Sequence, residues 1–217
     1  MSQLIFKFPF KTSYFEKDFF VSSNNFEAYK LIESWPKWPE TKINIFGPSG
    51  CGKTHLINIL SKKLKLFIID SKKYNENMND VIENYDCIVI DNYTGNINED
   101  HLYSTLNHVN QLNKSIIINS KINLKELNIE LNDLKSRLDS FMKIKILLPE
   151  DDLLRVIISK TFSDKQIKLS NKNLEFIIKN IERSYEKISK FIKDIDNLSL
   201  STGKSININL IKKVLTN

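Results

Sequence analysis

The stretch IFGPSGCGKTHL, residues 45–56, limits what this chain can fold into more than any other. Three of the chain's five glycines, Gly47, Gly50 and Gly52, fall within it and are followed at once by Lys53 and Thr54. Gly-x-x-x-x-Gly-Lys-Thr is the spacing of a phosphate-binding loop, where backbone N–H groups turn inward to cradle phosphates and side chains would block the approach. In that frame Gly47, Pro48, Ser49, Gly50, Cys51, Gly52, Lys53, Thr54 and His55 form the nucleotide-contacting segment. Lys53 is expected on the β and γ phosphates and Thr54 on Mg²⁺, with the helix that opens there aiming its positive end at the anion. The motif requires a strand before it and a helix after it. Lys42–Phe46 (KINIF) is a β-rich run, and Leu56, Ile57, Leu60 and Leu64 recur at helical spacing.

Beyond the loop the pattern alternates. Apolar runs at Leu66–Asp70, Cys87–Asp91, Ser115–Asn119 and Ile144–Leu148 are separated by helix-length segments. Continuous apolar strands between helices predict an α/β fold with a mostly parallel sheet covered on both faces. After Pro149, the last proline, four helical patterns follow: Leu153, Leu154, Ile157, Ile158; Leu174, Ile177, Ile178, Ile181; Ile188, Phe191, Ile192, Ile195; and Leu210, Ile211, Val214, Leu215. Gly203 suits the stop after the third. The expected plan is a tail over 1–13, an α/β nucleotide-binding domain over 14–149 and a small all-α domain over 150–217. With 217 residues, 41% of them hydrophobic, the chain can bury a core of that size. No apolar run approaches a membrane span and no signal-like segment opens the chain, so a soluble, cytoplasmic protein without a membrane partner is expected. The net charge of +6 is spread as lysines and reads as solvated surface.

A second nucleotide signal is CIVIDN, where a strand ends in an acid, Asp91, suited to the Mg²⁺ that Thr54 also touches. ATPases of this plan often carry another acid next, to position the attacking water. Here Asn92 stands there, and its amide cannot take a proton, so nucleotide binding is expected intact and hydrolysis weakened. At the tip of the next strand, Asn119 and Ser120 either contact a γ-phosphate or its water, or cap the turn. Arginine occurs only at 137, 155 and 183. Arg137 is either an arginine finger, offered to a neighbour's nucleotide, or the partner of Asp133 or Asp139 in a local ion pair. Cys51, beside the phosphates, reads as a small filler rather than a nucleophile.

These residues carry a family resemblance. FFVSSNNFEAYKLIESW, GPSGCGKTHL, CIVIDN, IIINSKINLKEL, LNDLKSRLDSF and FIIKNIERSYEKISKFIKDI occur in the order found in the AAA+ core of the bacterial replication initiator DnaA. The resemblance runs from about residue 14 to 217. Within the family the chain looks most like the Hda branch, regulatory inactivators of the initiator, with which it shares WPKWP and Asn92. The resemblance implies an AAA+ P-loop domain with a helical lid, binding ADP or ATP with Mg²⁺. It implies that Arg137 is a finger acting in trans on initiator-bound ATP, and that Phe20–Asn24, with Val21 and Asn24, lies over the adenine. On the lid, an ungapped match sets Glu186 at the family's second sensor arginine, with Arg183 or Lys187 as substitutes after a small shift. Gln3, Leu4, Phe6 and Phe8 resemble the peptide that docks on the DNA sliding clamp, the β subunit of DNA polymerase III. Read without the family, Gln3–Phe8 is a short apolar tail that adds to a sheet edge or enters a partner's pocket. The implied partners are DnaA and the clamp, with homo-oligomerisation left open. No segment for a helix-turn-helix domain follows the lid, so no autonomous sequence-specific DNA binding is expected. The alternative function is a helicase loader or remodelling AAA+ ATPase in DNA replication.

Overall fold

A computed structural model describes residues 19–75, 81–203 and 205–216. Among them, five strands form one all-parallel sheet: β1 (Lys42–Phe46), β2 (Leu66–Asp70), β3 (Cys87–Tyr93), β4 (Ser115–Ser120) and β5 (Met142–Lys145). Their spatial order is β2-β3-β4-β1-β5. Helices α1 (Phe26–Glu33), α2 (Lys53–Leu60), α3 (Glu99–Gln111) and α4 (Asn132–Asp139) accompany the sheet.

The central strands are buried on both sides. Ile88 and Ile90 of β3 and Ile116 and Ile118 of β4 pack with Leu102 and Leu106 of α3 and Leu134 and Leu138 of α4. The alternate residues Cys87, Val89 and Ile117 point to the opposite face and are equally buried. Each such aliphatic side chain contributes about 1.5–3 kcal/mol on leaving water, so this double burial decides the layer plan. The edge strands are wetter, and Ile68 of β2 is 43% exposed.

One strand is displaced from its expected position. The last apolar run predicted Ile144–Leu148, whereas β5 spans Met142–Lys145. Ile146 still donates its N–H to Phe46 O, but Leu147 N–H turns to Asn24 O (3.0 Å), so the ladder with β1 ends. Leu147 and Leu148 are 45% and 50% exposed, which a run judged by apolarity alone does not reveal.

The chain divides into two compact units between Leu147 and Leu148. The second contains α5 (Asp151–Asp164), α6 (Asn171–Asn180), α7 (Tyr185–Thr202) and α8 (Ile208–Leu215). Its own core includes Leu154, Ile158, Phe162, Ile177, Phe191, Ile195 and Ile211. The starts of α6, α7 and α8 are capped by the side chains of Ser170, Ser184 and Asn207, which accept otherwise unmet N–H groups. Gly203 ends α7 in the left-handed conformation, φ +64°. Among the described residues no helix is long and apolar enough to cross a membrane.

Candidate nucleotide-binding site

Adjacent strands β3, β4 and β1 are parallel, so the loops leaving their carboxyl ends converge on one edge of the sheet. The phosphate loop leaves β1 and is tied to the neighbouring strand, because Gly47 donates its N–H to Ser120 O (3.3 Å). A side chain at Gly47 is excluded: its Cβ would lie 2.5 Å from the backbone oxygen of Ile146. Lys53 is buried, and its ammonium donates to Gly47 O (2.7 Å) and Pro48 O (3.1 Å). The loop therefore holds the charge at its centre, where phosphate oxygens of a ligand would take over as acceptors. Cys51 is buried as well, and burial pushes its thiol up despite the opposing pull of Lys53. That leaves it neutral and inert, as the filler reading expects.

Asp91 gathers the second part of the site. Its Oδ2 accepts from Thr54 Oγ1 (3.0 Å), and its Oδ1 accepts from Asn119 Nδ2 and from the Asn92 N–H, both at 3.1 Å. Thr54 and Asn119 lie 37 and 28 positions from Asp91 in the chain. Asn119 is wholly buried, and its Oδ1 has no hydrogen-bond partner among the described residues. A buried unmet acceptor is costly, so this one points to a donor arriving with a ligand or its water. The adjacent oxygens of Thr54 and Asp91 fit Mg²⁺, which takes one carboxylate and completes its shell with waters and phosphates. Among the described residues no cluster of three His, Cys, Asp or Glu exists, and such a Mg²⁺ needs none.

Ser120 does not join Asn119 at Asp91. Its hydroxyl donates to Ile122 O (2.6 Å) and accepts from Asn44 Nδ2 (2.9 Å), so it caps the turn. Asn92 also faces away. In the left-handed region at φ +58°, its amide donates to Asp70 Oδ2 (2.8 Å) at the end of β2, while its carbonyl accepts from Ser71 Oγ (2.9 Å).

The segment expected over the adenine lies next to the loop. Asn24 O holds Leu147, the residue after the Ile146 that crowds Gly47. Val21, Ser22, Asn24, Phe26 and Leu147 line an open groove there. Asn25 shapes it, accepting from Ser22 N–H and donating to Phe20 O, both at 2.9 Å. Phe19 meets His55 edge-on with ring centroids 5.3 Å apart. Sequence reasoning missed Asn25 and also Asn44, the buried amide in β1 that donates to Ile118 O and Ser120 Oγ. The one signal for Asn44 was a polar residue inside the apolar run KINIF.

Arg137 sits half-buried on α4 and makes no ion pair among the described residues, so the local pairing with Asp133 or Asp139, one of the two readings of this residue, does not form. Arg183, counted among the nucleotide contacts, pairs with Asp151 at 2.8 Å inside the helical unit, with both side chains exposed. Lys187 lies 3.5 Å from Glu182, and neighbouring Glu186 is in the first turn of α7. Gln3, Leu4, Phe6 and Phe8 lie outside the described residues.

No protein-family model matches the chain. In sequence it is 26% identical to the chromosomal replication initiator protein DnaA of Buchnera aphidicola subsp. Cinara cedri, over 88% of this chain and 48% of that protein. It is also 26% identical to DnaA of Borreliella afzelii, over 97% of this chain and 49% of the relative. The chain spans about half the length of the curated relatives it matches. Its fold is similar to that of domain III of Thermotoga maritima DnaA, with a TM-score of 0.77 at 21% identity, covering 96% of this chain and 98% of that one. A DnaA bound to AMPPCP and single-stranded DNA gives 0.70 at 19% identity, over 84% and 64% of the two chains. Thermotoga maritima RuvB gives 0.69 at 16%, over 91% and 70%. The sequence similarity is thus to DnaA proteins, over about half of their length.

Proposed function

We propose that this chain binds ADP or ATP with Mg²⁺ and regulates replication initiation, using Arg137 to stimulate hydrolysis of ATP held by the initiator DnaA on the sliding clamp. In this reading it works in the cytoplasm, and Gln3–Phe8 docks on the clamp. The observation that carries it is a pairing of opposites. The site of this chain has a phosphate loop and Asp91 but, at position 92, an amide turned toward Asp70, while Arg137, on α4, is a cation without an ion-pair partner among the described residues. Such a chain holds a nucleotide and offers its catalytic charge elsewhere.

Within the site, Lys53 binds phosphate oxygens and Thr54 and Asp91 hold the metal, which neutralises charge on the phosphates when bound. Asn119 keeps the Asp91 carboxylate oriented through its Nδ2 donor. Arg137 meets charge that develops on a neighbour's γ-phosphate, and its planar fork makes two contacts where lysine makes one. The test is phosphate release from ATP-loaded DnaA in the presence of clamp on DNA. The parent protein should stimulate it while staying nearly silent alone. Arg137→Ala should lose roughly 10³ to 10⁵ of the stimulation, and Arg137→Lys should recover only a part. Full stimulation by Arg137→Ala would overturn the reading.

A second reading, a helicase loader or remodelling ATPase, draws on the unmet Oδ1 of Asn119, an acceptor that an attacking water would satisfy. Steady turnover by the isolated protein on addition of DNA or a replication client would favour it.

A further inference from the structure

The start of α4, the helix that carries Arg137, is held from outside. Its N-cap residue, Leu131, offers no side-chain cap. Instead Glu99, in the first turn of α3, turns its carboxylate across to accept Glu130 N–H through both oxygens (3.1 Å each) and Leu131 N–H (2.6 Å). The cap of α3 itself is supplied by Asn98, which accepts from His101 N–H, so the charge of Glu99 is not needed at its own helix start. One carboxylate thus serves two backbone donors more than thirty positions away, at the positive end of the second helix. Tyr93, at the end of β3 and two residues beyond Asp91, is buried, and its hydroxyl has no hydrogen-bond partner among the described residues. Burial first, and then the nearby charge of Glu99, push that phenol up to about 12. The carboxylate therefore stands where β3, α3 and the base of α4 meet.

We propose that Glu99 is the positioning residue for Arg137, fixing the angle at which α4 presents the guanidinium to a neighbouring subunit's nucleotide. The inference rests on the finger reading of Arg137 given above. Arg137 lies six residues beyond Leu131, about 9 Å along the helix axis. A tilt of roughly 10° at the base moves that point by about 1.5 Å, and a displacement of about 1 Å can already cost on the order of 10² in rate. Leu134 and Leu138 also anchor α4 in the core, which keeps the helix formed when the tether is cut. Loss of Glu99 therefore changes aim rather than fold.

The experiment uses the full chain with Glu99→Ala and Glu99→Gln, beside Arg137→Ala as reference. Three quantities are read: amide exchange at Glu130 and Leu131, affinity for ADP, and phosphate release from ATP-loaded DnaA with clamp on DNA. With Glu99→Ala, exchange at residues 130 and 131 should rise at least about tenfold, because charge-assisted bonds are lost. ADP affinity should stay within about twofold, and the maximal stimulated rate should fall by about tenfold or more, with the concentration for half-stimulation unchanged. Glu99→Gln, which keeps the shape with one acceptor and no charge, should fall between parent and Ala, and it carries the test if the Ala variant does not fold. Stimulation at the parental level by either variant, under conditions where Arg137→Ala is inactive, overturns the positioning role and leaves the finger standing. Parental stimulation by Arg137→Ala instead overturns the finger, and the inference with it.

Discussion

Replacing Gly52 by alanine isolates what the phosphate loop demands of its glycines. Gly52 is the N-cap of α2 at φ +98°, where an L side chain costs about 1–2 kcal/mol. It also faces an obstacle, since a Cβ there would lie 2.9 Å from Cε2 of Phe19. Phe19 cannot simply turn aside, being stacked on Tyr29 at 5.9 Å and set edge-on to His55 at 5.3 Å. Overpacking of this kind adds about 1–3 kcal/mol, so Gly52→Ala should cost about 2–5 kcal/mol in total. Gly95 is the internal control, because it shares a positive φ, +83°, but has nothing among the described residues within 4 Å of its would-be Cβ. Gly95→Ala should cost the backbone term alone, about 1–2 kcal/mol. A double-mutant cycle with Phe19→Ala separates the two terms. If the ring is the obstacle, the double variant is more stable than the sum of the singles predicts by about 1–3 kcal/mol. Urea unfolding followed by circular dichroism measures the four variants beside the parent. Equal losses for Gly52→Ala and Gly95→Ala, or a coupling below about 0.5 kcal/mol, would refute the steric argument.

Lys53→Ala removes the charge-assisted phosphate contact and should abolish binding of a fluorescent ADP, with a stability loss of only about 1–3 kcal/mol from its two carbonyl bonds. ADP binding at parental strength would exclude the loop as the site. Both thiols are pushed up by burial, so at pH 8 they stay protonated in the folded protein, and Ellman's reagent should react only as fast as the chain unfolds. Rapid labelling of native protein would contradict that. Deleting Gln3–Phe8 should end co-elution with the sliding clamp while ADP affinity holds. Retained co-elution would place docking elsewhere.

How much was readable in advance follows from how far apart the cooperating residues lie. The phosphate loop is a device of contiguous residues, 47–54, between a strand and a helix whose own patterns are local, so its position could be read along the chain. The parallel sheet was legible because β3 and β4 are buried on both faces and carry continuous apolar stretches, Cys87 to Ile90 and Ile116 to Ile118. The helical unit was legible through its 3.6-residue period and the stop at Gly203. Where the edge strand β5 ends was not, because a hydrogen bond from Leu147 to Asn24, far away in sequence, ends it.

The same distance rule divides the site residues. Asp91 was found by sequence as a strand-terminal acid, but only the alignment of β3 with β4 and the phosphate loop brings Asn119 and Thr54 onto its two oxygens. Asn119 and Ser120 were equal candidates in the sequence. Successive residues of a strand point to opposite faces, so one reached Asp91 and the other met Asn44. The direction of Asn92 depended on Asp70, its neighbour across β2 and β3. Local chemistry is written in adjacent residues and a sequence states it. Partnerships across strands exist only once register is fixed, and burial of the sheet fixes it.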